Sequence, residues 1–81
     1  MSQVFVGQQI KGVVIDSNGI TLPGVNIQEK GTSNVVATDF EGNYTITVSE
    51  NATLIFSSIG FKLKEVVVGE KSILNVTLLD D

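Results

Sequence analysis

Asp39, Glu41 and Asn43 alternate around Phe40 and Gly42, a spacing that faintly suggests a calcium loop. Hard cations take oxygen ligands from such alternation, but an EF-hand needs a longer ladder closed by a bidentate Glu at its twelfth position. That ladder is missing, and the stretch reads as a turn. The Asp39 carboxylate can fold onto backbone N–H groups just ahead of it, and Gly42 can take φ > 0 without a steric penalty. Asp16-Ser17-Asn18-Gly19 is a second turn by composition. Asp16 would join Asp39 as a ligand pair only if the fold brought the two loops together. Ser57-Ser58 offers hydroxyl nucleophiles, with only lysine in the chain to act as a base. Asn43-Tyr44-Thr45, Asn51-Ala52-Thr53 and Asn75-Val76-Thr77 match the glycosylation pattern, a match that arises cheaply in strands rich in Asn and Thr. A carbohydrate site would lean on exposed aromatic platforms, and Tyr44 and the phenylalanines are mostly assigned to the core. No catalytic, cofactor-binding or metal-binding residue is therefore assigned, no cofactor is expected, and the chain is not expected to be an enzyme.

Composition narrows the chemistry further. With no histidine, cysteine or arginine, a His-based triad, a thiol nucleophile, a zinc–thiolate centre and an arginine clamp on phosphate are all excluded. The net charge is −4 and the five lysines are scattered, so no basic face for nucleic acid is written here. No run approaches the roughly 20 apolar residues of a membrane helix, so this domain is not expected to insert directly in a membrane. Eighty-one residues make one domain. A chain of that length buries around 60–65% of its unfolded surface, which suits a modest stability on the order of 5 kcal/mol.

The elements that would position these residues are all strands. Ile10–Asp16 is the first, with Ile10, Gly12 and Val14 on one face and Lys11, Val13 and Ile15 on the other. Apolar groups on both faces suggest cover on both sides or a nearby partner. Pro23 cannot donate to a ladder and belongs at the start or edge of a strand. Val25–Glu29 alternates and makes the second strand. Val35–Thr38, the Asp39 turn and Tyr44–Val48 read as a hairpin whose turn sets its register. Thr53–Ile59 is nearly all apolar or small and suits a central strand. Phe61–Val68 comes next, with Lys62, Lys64 and Glu65 at its wetter positions. Ser72–Leu78 closes the sheet. No segment keeps a 3.6-residue period over ten residues. Strands at 8–12-residue spacing indicate an all-β sandwich or barrel. The expected core is Val14, Val25, Ile27, Tyr44, Ile46, Leu54, Phe56, Phe61, Val67, Leu74, Val76 and Leu78.

Five stretches, in order and spacing, carry a resemblance. They are Gly12-Val13-Val14-Ile15-Asp16, Leu22-Pro23-Gly24-Val25-Asn26-Ile27, Lys30-Gly31-Thr32, Ala37-Thr38-Asp39-Phe40-Glu41-Gly42-Asn43-Tyr44 and Phe56-Ser57-Ser58-Ile59-Gly60-Phe61-Lys62. Together they resemble the carboxypeptidase-regulatory-like domain, in the wording found at the N-terminus of SusC-like TonB-dependent outer-membrane transporters of Bacteroidetes. Val35 stands where that family often has glycine, Ser58 where it often has tyrosine, and Ile20 replaces a usual polar residue. The resemblance implies a seven-stranded transthyretin-like, immunoglobulin-like β-sandwich over residues 9–79. Residues 1–8 are then an N-terminal arm or an export or expression remnant, and residues 80–81 the start of a linker. It further implies a non-catalytic periplasmic accessory module of a nutrient transporter, attached to an outer-membrane protein. Its partners would be the rest of that transporter or other envelope proteins, met through an exposed strand edge or the arm Val4-Phe5-Val6. The alternative is the same sandwich as a regulatory or stalk domain of another exported protein, such as a peptidase or adhesin. The family brings no active site to carry over.

Overall fold

A computed structural model describes residues 7–81; the arm Val4-Phe5-Val6 lies outside the described residues. Within them the chain forms seven strands: β1 (Gly7–Asp16), β2 (Asn26–Glu29), β3 (Val35–Ala37), β4 (Asn43–Ser49), β5 (Thr53–Ser57), β6 (Lys64–Val67) and β7 (Val76–Leu78). No helix occurs among the described residues. The strands make two sheets, one ordered β4-β1-β7 and the other β3-β2-β5-β6. All neighbours are antiparallel except β1 and β7. The architecture is the expected all-β sandwich.

Strict alternation builds the core. Tyr44, Ile46 and Val48 point inward from β4, while Asn43, Thr45, Thr47 and Ser49 face water. Ile10 and Val14 enter from β1, Val25 and Ile27 from β2 and its approach, Leu54 and Phe56 from β5, and Leu74, Val76 and Leu78 from the last stretch. Each inward residue loses its apolar surface to water, at about 25 cal/mol per Å². The Tyr44 and Phe56 rings meet across the two sheets edge to face, with centroids 5.6 Å apart and an interplanar angle of 80°.

Two expectations are corrected. The stretch from Val35 to Val48 is not a hairpin. β3 pairs with β2 and β4 with β1, so the Asp39 turn carries the chain from one sheet to the other. Thr38, which is buried, anchors the end of β3 on the β2 side. Its hydroxyl donates to Leu22 O (2.6 Å) and accepts from Val25 N–H (2.9 Å), holding the end of β3 against the approach to β2. The second correction concerns Val67, which is 59% exposed, while Val68 is fully buried. Val66 lies opposite Leu54, and Val68 N–H bonds Ala52 O (2.9 Å), so the period of two turns Val67 outward. Three consecutive valines carry no alternation from which that parity could be read. Ile10 and Val48 are buried although the expected core lacked them. Phe61 is half-buried and packs against the core rim.

β1 begins at Gly7, three residues ahead of the expected strand. It has a strand on each edge, and among the described residues no second layer covers its outer face, where Val13 and Ile15 are half-buried. At the chain's other terminus, Asp80 bridges Phe61 and Asp81 N–H donates to Gly60 O (3.0 Å).

Candidate functional site

The Asp16 carboxylate accepts from the N–H groups of Asn18 (2.9 Å) and Ile20 (3.0 Å). The Asp39 carboxylate does the same for Glu41 and Asn43, both at 2.9 Å. Gly42 closes the second turn at φ 78°, the left-handed conformation expected for it. Both acids therefore organise backbone, as Asp does in such turns. The fold also brings the two turns side by side. Val14 N–H donates to Gly42 O and Leu22 N–H to Val14 O, both at 2.9 Å. A Cβ on Gly42 would lie 2.8 Å from Val14 O and 3.0 Å from Thr21 Cβ. Even so, no group of three or more His, Cys, Asp or Glu is placed to hold a metal ion among the described residues.

Ser57 lies opposite Asn26, and Ser58 O receives Phe61 N–H (3.1 Å) in the next turn. Asn43, Asn51 and Asn75 are all exposed. Asn51 takes φ 58° in the turn before β5. The Asn75 side chain is structural: its Oδ1 accepts from Val13 N–H (3.0 Å). The Lys30–Glu65 ion pair (2.9 Å) is exposed on both sides and of small energetic consequence.

Three features that sequence reading missed decide how the sandwich closes. Gly12 lies beneath Leu74, whose carbonyl oxygen would sit 1.8 Å from any Cβ built there. That oxygen points inward and accepts from the Tyr44 hydroxyl (2.6 Å). Burial pushes the Tyr44 phenol up to about 12. Glu29, on the same parity as Val25 and Ile27, is buried at the margin. Its carboxylate accepts from Ser49 N–H and from the Asn34 amide, each at 3.1 Å, and these bonds hold it below its ordinary value of 4.5. Asn34 also donates to Thr47 O (2.7 Å), so side chains from one sheet cap the outer edge of β4 in the other. On the opposite flank, Lys62 N–H (2.8 Å) and Lys64 Nζ (3.2 Å) reach the carbonyls of Leu79 and Thr77.

With two edges stitched, the most exposed large apolar side chains stand on turns. Phe40 is 95% exposed and Ile59 99% exposed. Phe40 borders an open groove of about 440 Å³ with Pro23, Gly24, Thr38 and Asp39. Ile59 borders another of about 240 Å³ with Asn26, Ser57 and Ser58. Phe40 is thus an exposed aromatic that the assignment of phenylalanines to the core did not foresee. The signal was available: Phe40 lies inside a turn, off the alternating pattern. Such a surface can dock a partner.

The chain resembles known proteins along nearly its whole length. Two TonB-dependent receptors of Formosa agariphila are 37% identical over 71 residues and 42% identical over 76, covering 86% and 91% of this chain. The TonB-dependent receptor SusC of Bacteroides thetaiotaomicron is 35% identical over 72 residues, 89% of the chain. In each case the match spans only 7–8% of the receptor. A chain in a type II cohesin–X–dockerin complex from Acetivibrio cellulolyticus superposes with a TM-score of 0.66 at 16% identity, over 86% of this chain and 52% of that one, a likeness of fold alone. The family model for the CarboxypepD_reg-like domain matches residues 10–81, from the first buried residue of β1 through the Asp80 bridge. A two-sheet sandwich whose turns and glycines carry the family's spacing, matched over that span, belongs to the carboxypeptidase-regulatory-like domain family.

Proposed function

We propose that this domain is a non-catalytic accessory module of a TonB-dependent nutrient transporter, held on the periplasmic side of the outer membrane and acting by contact with protein. The observation that carries this reading is the identity of 35–42% with TonB-dependent receptors over most of the chain, at only 7–8% of their length. A module that small within a large receptor serves the rest of it. The site supports contact over chemistry, because its acids are spent on turns and its large exposed side chains are apolar. Residues 9–79 are proposed as the module, with Gly7 and Gln8 extending β1 ahead of it and Asp80 and Asp81 bonded to the Gly60–Phe61 turn after it.

The test is to delete residues 9–79 from the parent receptor and measure two quantities, its level in the outer membrane and its uptake of ligand. The reading expects one or both to fall. Unchanged level and unchanged uptake overturn it.

A further inference from the structure

We propose that one end of the sandwich is a docking surface for a polypeptide segment that alternates Lys or Arg with apolar residues. The proposal rests on the protein-contact reading above and names the surface and the chemistry of its partner.

Three connections meet at this end. They are the Asp16 turn after β1, the Asp39 turn after β3 and the Ser58 turn after β5: Asn26 lies opposite both Ala37 and Ser57, and Val13 lies opposite Asn43 with Val14 N–H bonded to Gly42 O. Each puts forward one large apolar side chain: Ile20 (59% exposed), Phe40 and Ile59. Water-facing apolar residues scattered singly need no explanation, but these three stand on the tips of three connections at one end of the sandwich. The tips are preorganised. Ile20 N–H is tied to the Asp16 carboxylate, Phe40 sits between Asp39 and the Glu41 N–H that Asp39 holds, and Ile59 lies within the Ser58–Phe61 turn. Ordering the backbone of these tips on binding therefore costs less than for a mobile loop.

The charge at this end selects the partner. Asp16, Asp39, Glu41, Asp80 and Asp81 lie here, with Lys62 and Lys64 on the adjoining flank of β6. Apolar tips set among carboxylates fit a segment whose apolar side chains are flanked by cations, and like-charge repulsion rejects an acidic one.

The test uses the 81-residue chain labelled with ¹⁵N and two synthetic peptides, Lys-Val-Lys-Phe-Lys-Val and Glu-Val-Glu-Phe-Glu-Val. The basic peptide should shift the amides of Ile20, Phe40, Gly42 and Ile59, with affinity falling as salt rises; the acidic peptide should leave them in place. The double substitution Phe40→Ser, Ile59→Ser should weaken binding by about tenfold or more, as loss of central apolar anchors does, at an unchanged melting temperature. Ile73→Ser, on the outer face of β1 and β7, should leave binding intact. Shifts centred elsewhere, equal binding of the two peptides, or equal weakening by Ile73→Ser overturn the proposal. So do phosphatidylcholine or phosphatidylglycerol vesicles that perturb the same amides more strongly than the peptide, which would mark a membrane surface. If deletion of the module impairs the receptor while the basic peptide leaves this end unperturbed, the contact reading stands and this surface is wrong.

Discussion

At the scale of single residues, the tightest point of the molecule is a glycine. Gly12 exists because the Leu74 carbonyl crosses its Cα, and a methyl group there would overlap a backbone oxygen that cannot turn aside. Gly12→Ala should cost roughly 3 kcal/mol or more, at the upper end of overpacking, measured as the shift in a urea unfolding curve. The same oxygen needs the Tyr44 hydroxyl. Tyr44→Phe leaves a buried carbonyl without its donor and should cost about 1–3 kcal/mol. It should also change the alkaline limb. The phenol ionises near 10 when unfolded and at about 12 in the fold, so the native state holds its proton longer. That stability is complete below pH 10 and is lost as pH rises through the interval to 12, on the order of 2–3 kcal/mol in all. Denaturation midpoints of the two proteins between pH 9 and 12 should therefore converge. Midpoints that stay parallel would show that Tyr44 does not titrate as a buried phenol.

At the scale of elements, the decisive event is a chain crossing. β3 is three residues long and presents only Val36 inward, whereas β4 is seven residues long with three buried side chains. Those side chains find their cover by joining β1, and the Asp39 turn makes the corner. Once crossed, the sheets are held at the flank by Glu29 and Asn34. Glu29 has a pKa below its ordinary 4.5, set first by the Ser49 N–H and then by the Asn34 amide. Such a group contributes stability above its unfolded pKa, and the contribution is lost as pH falls through the lower folded value. Glu29→Gln keeps the shape but removes the charge, and should lower stability by about 1.5–3 kcal/mol at neutral pH, the range for hydrogen bonds to charged groups. The gap between variant and parent should narrow in thermal melts taken from pH 5 down to pH 2. A constant gap across that range would contradict the role given to the carboxylate.

At the scale of the whole molecule, the two ends of the sandwich gather different connections. Gly7 pairs with Ser49, and Gln8 reaches the carbonyls of Gly69 (3.1 Å) and Lys71 (2.7 Å), so this end gathers the turns after β4 and β6. Asp81 lies at the opposite end with the three apolar tips. The molecule's integrity depends on one core shared by both sheets. Phe56 is fully buried against Tyr44 of the other sheet. Phe56→Ala should cost roughly 3–5 kcal/mol, because the ring leaves a cavity at the contact between the sheets. That is a large share of what so small a domain has, so a thermal melt followed by circular dichroism should show a melting temperature lower by more than about 10 °C. A melting temperature within a few degrees of the parent would mean that the two sheets do not depend on this contact.

Alternation and turn chemistry are local properties, and these the sequence by itself determined. Period-two patterning in Tyr44–Val48 and Val25–Glu29 put Tyr44, Ile46, Val25 and Ile27 inside, and put Glu29 on the inner parity as well, though its burial was not drawn from it. Asp before Gly marked both turns, and the order of the motifs marked the family. Where alternation is silent, as in Val66-Val67-Val68, parity had to come from the partner strand. Tertiary structure alone decided which strand β4 would join, because a turn fixes the local path and the choice of sheet depends on where distant apolar faces find cover. It alone placed the Leu74 carbonyl over Gly12, since a close approach between residues 62 positions apart leaves no trace in either neighbourhood. And it alone gathered Ile20, Phe40 and Ile59 at one end, three exposed residues from three connections that only the packing of the two sheets brings to the same end.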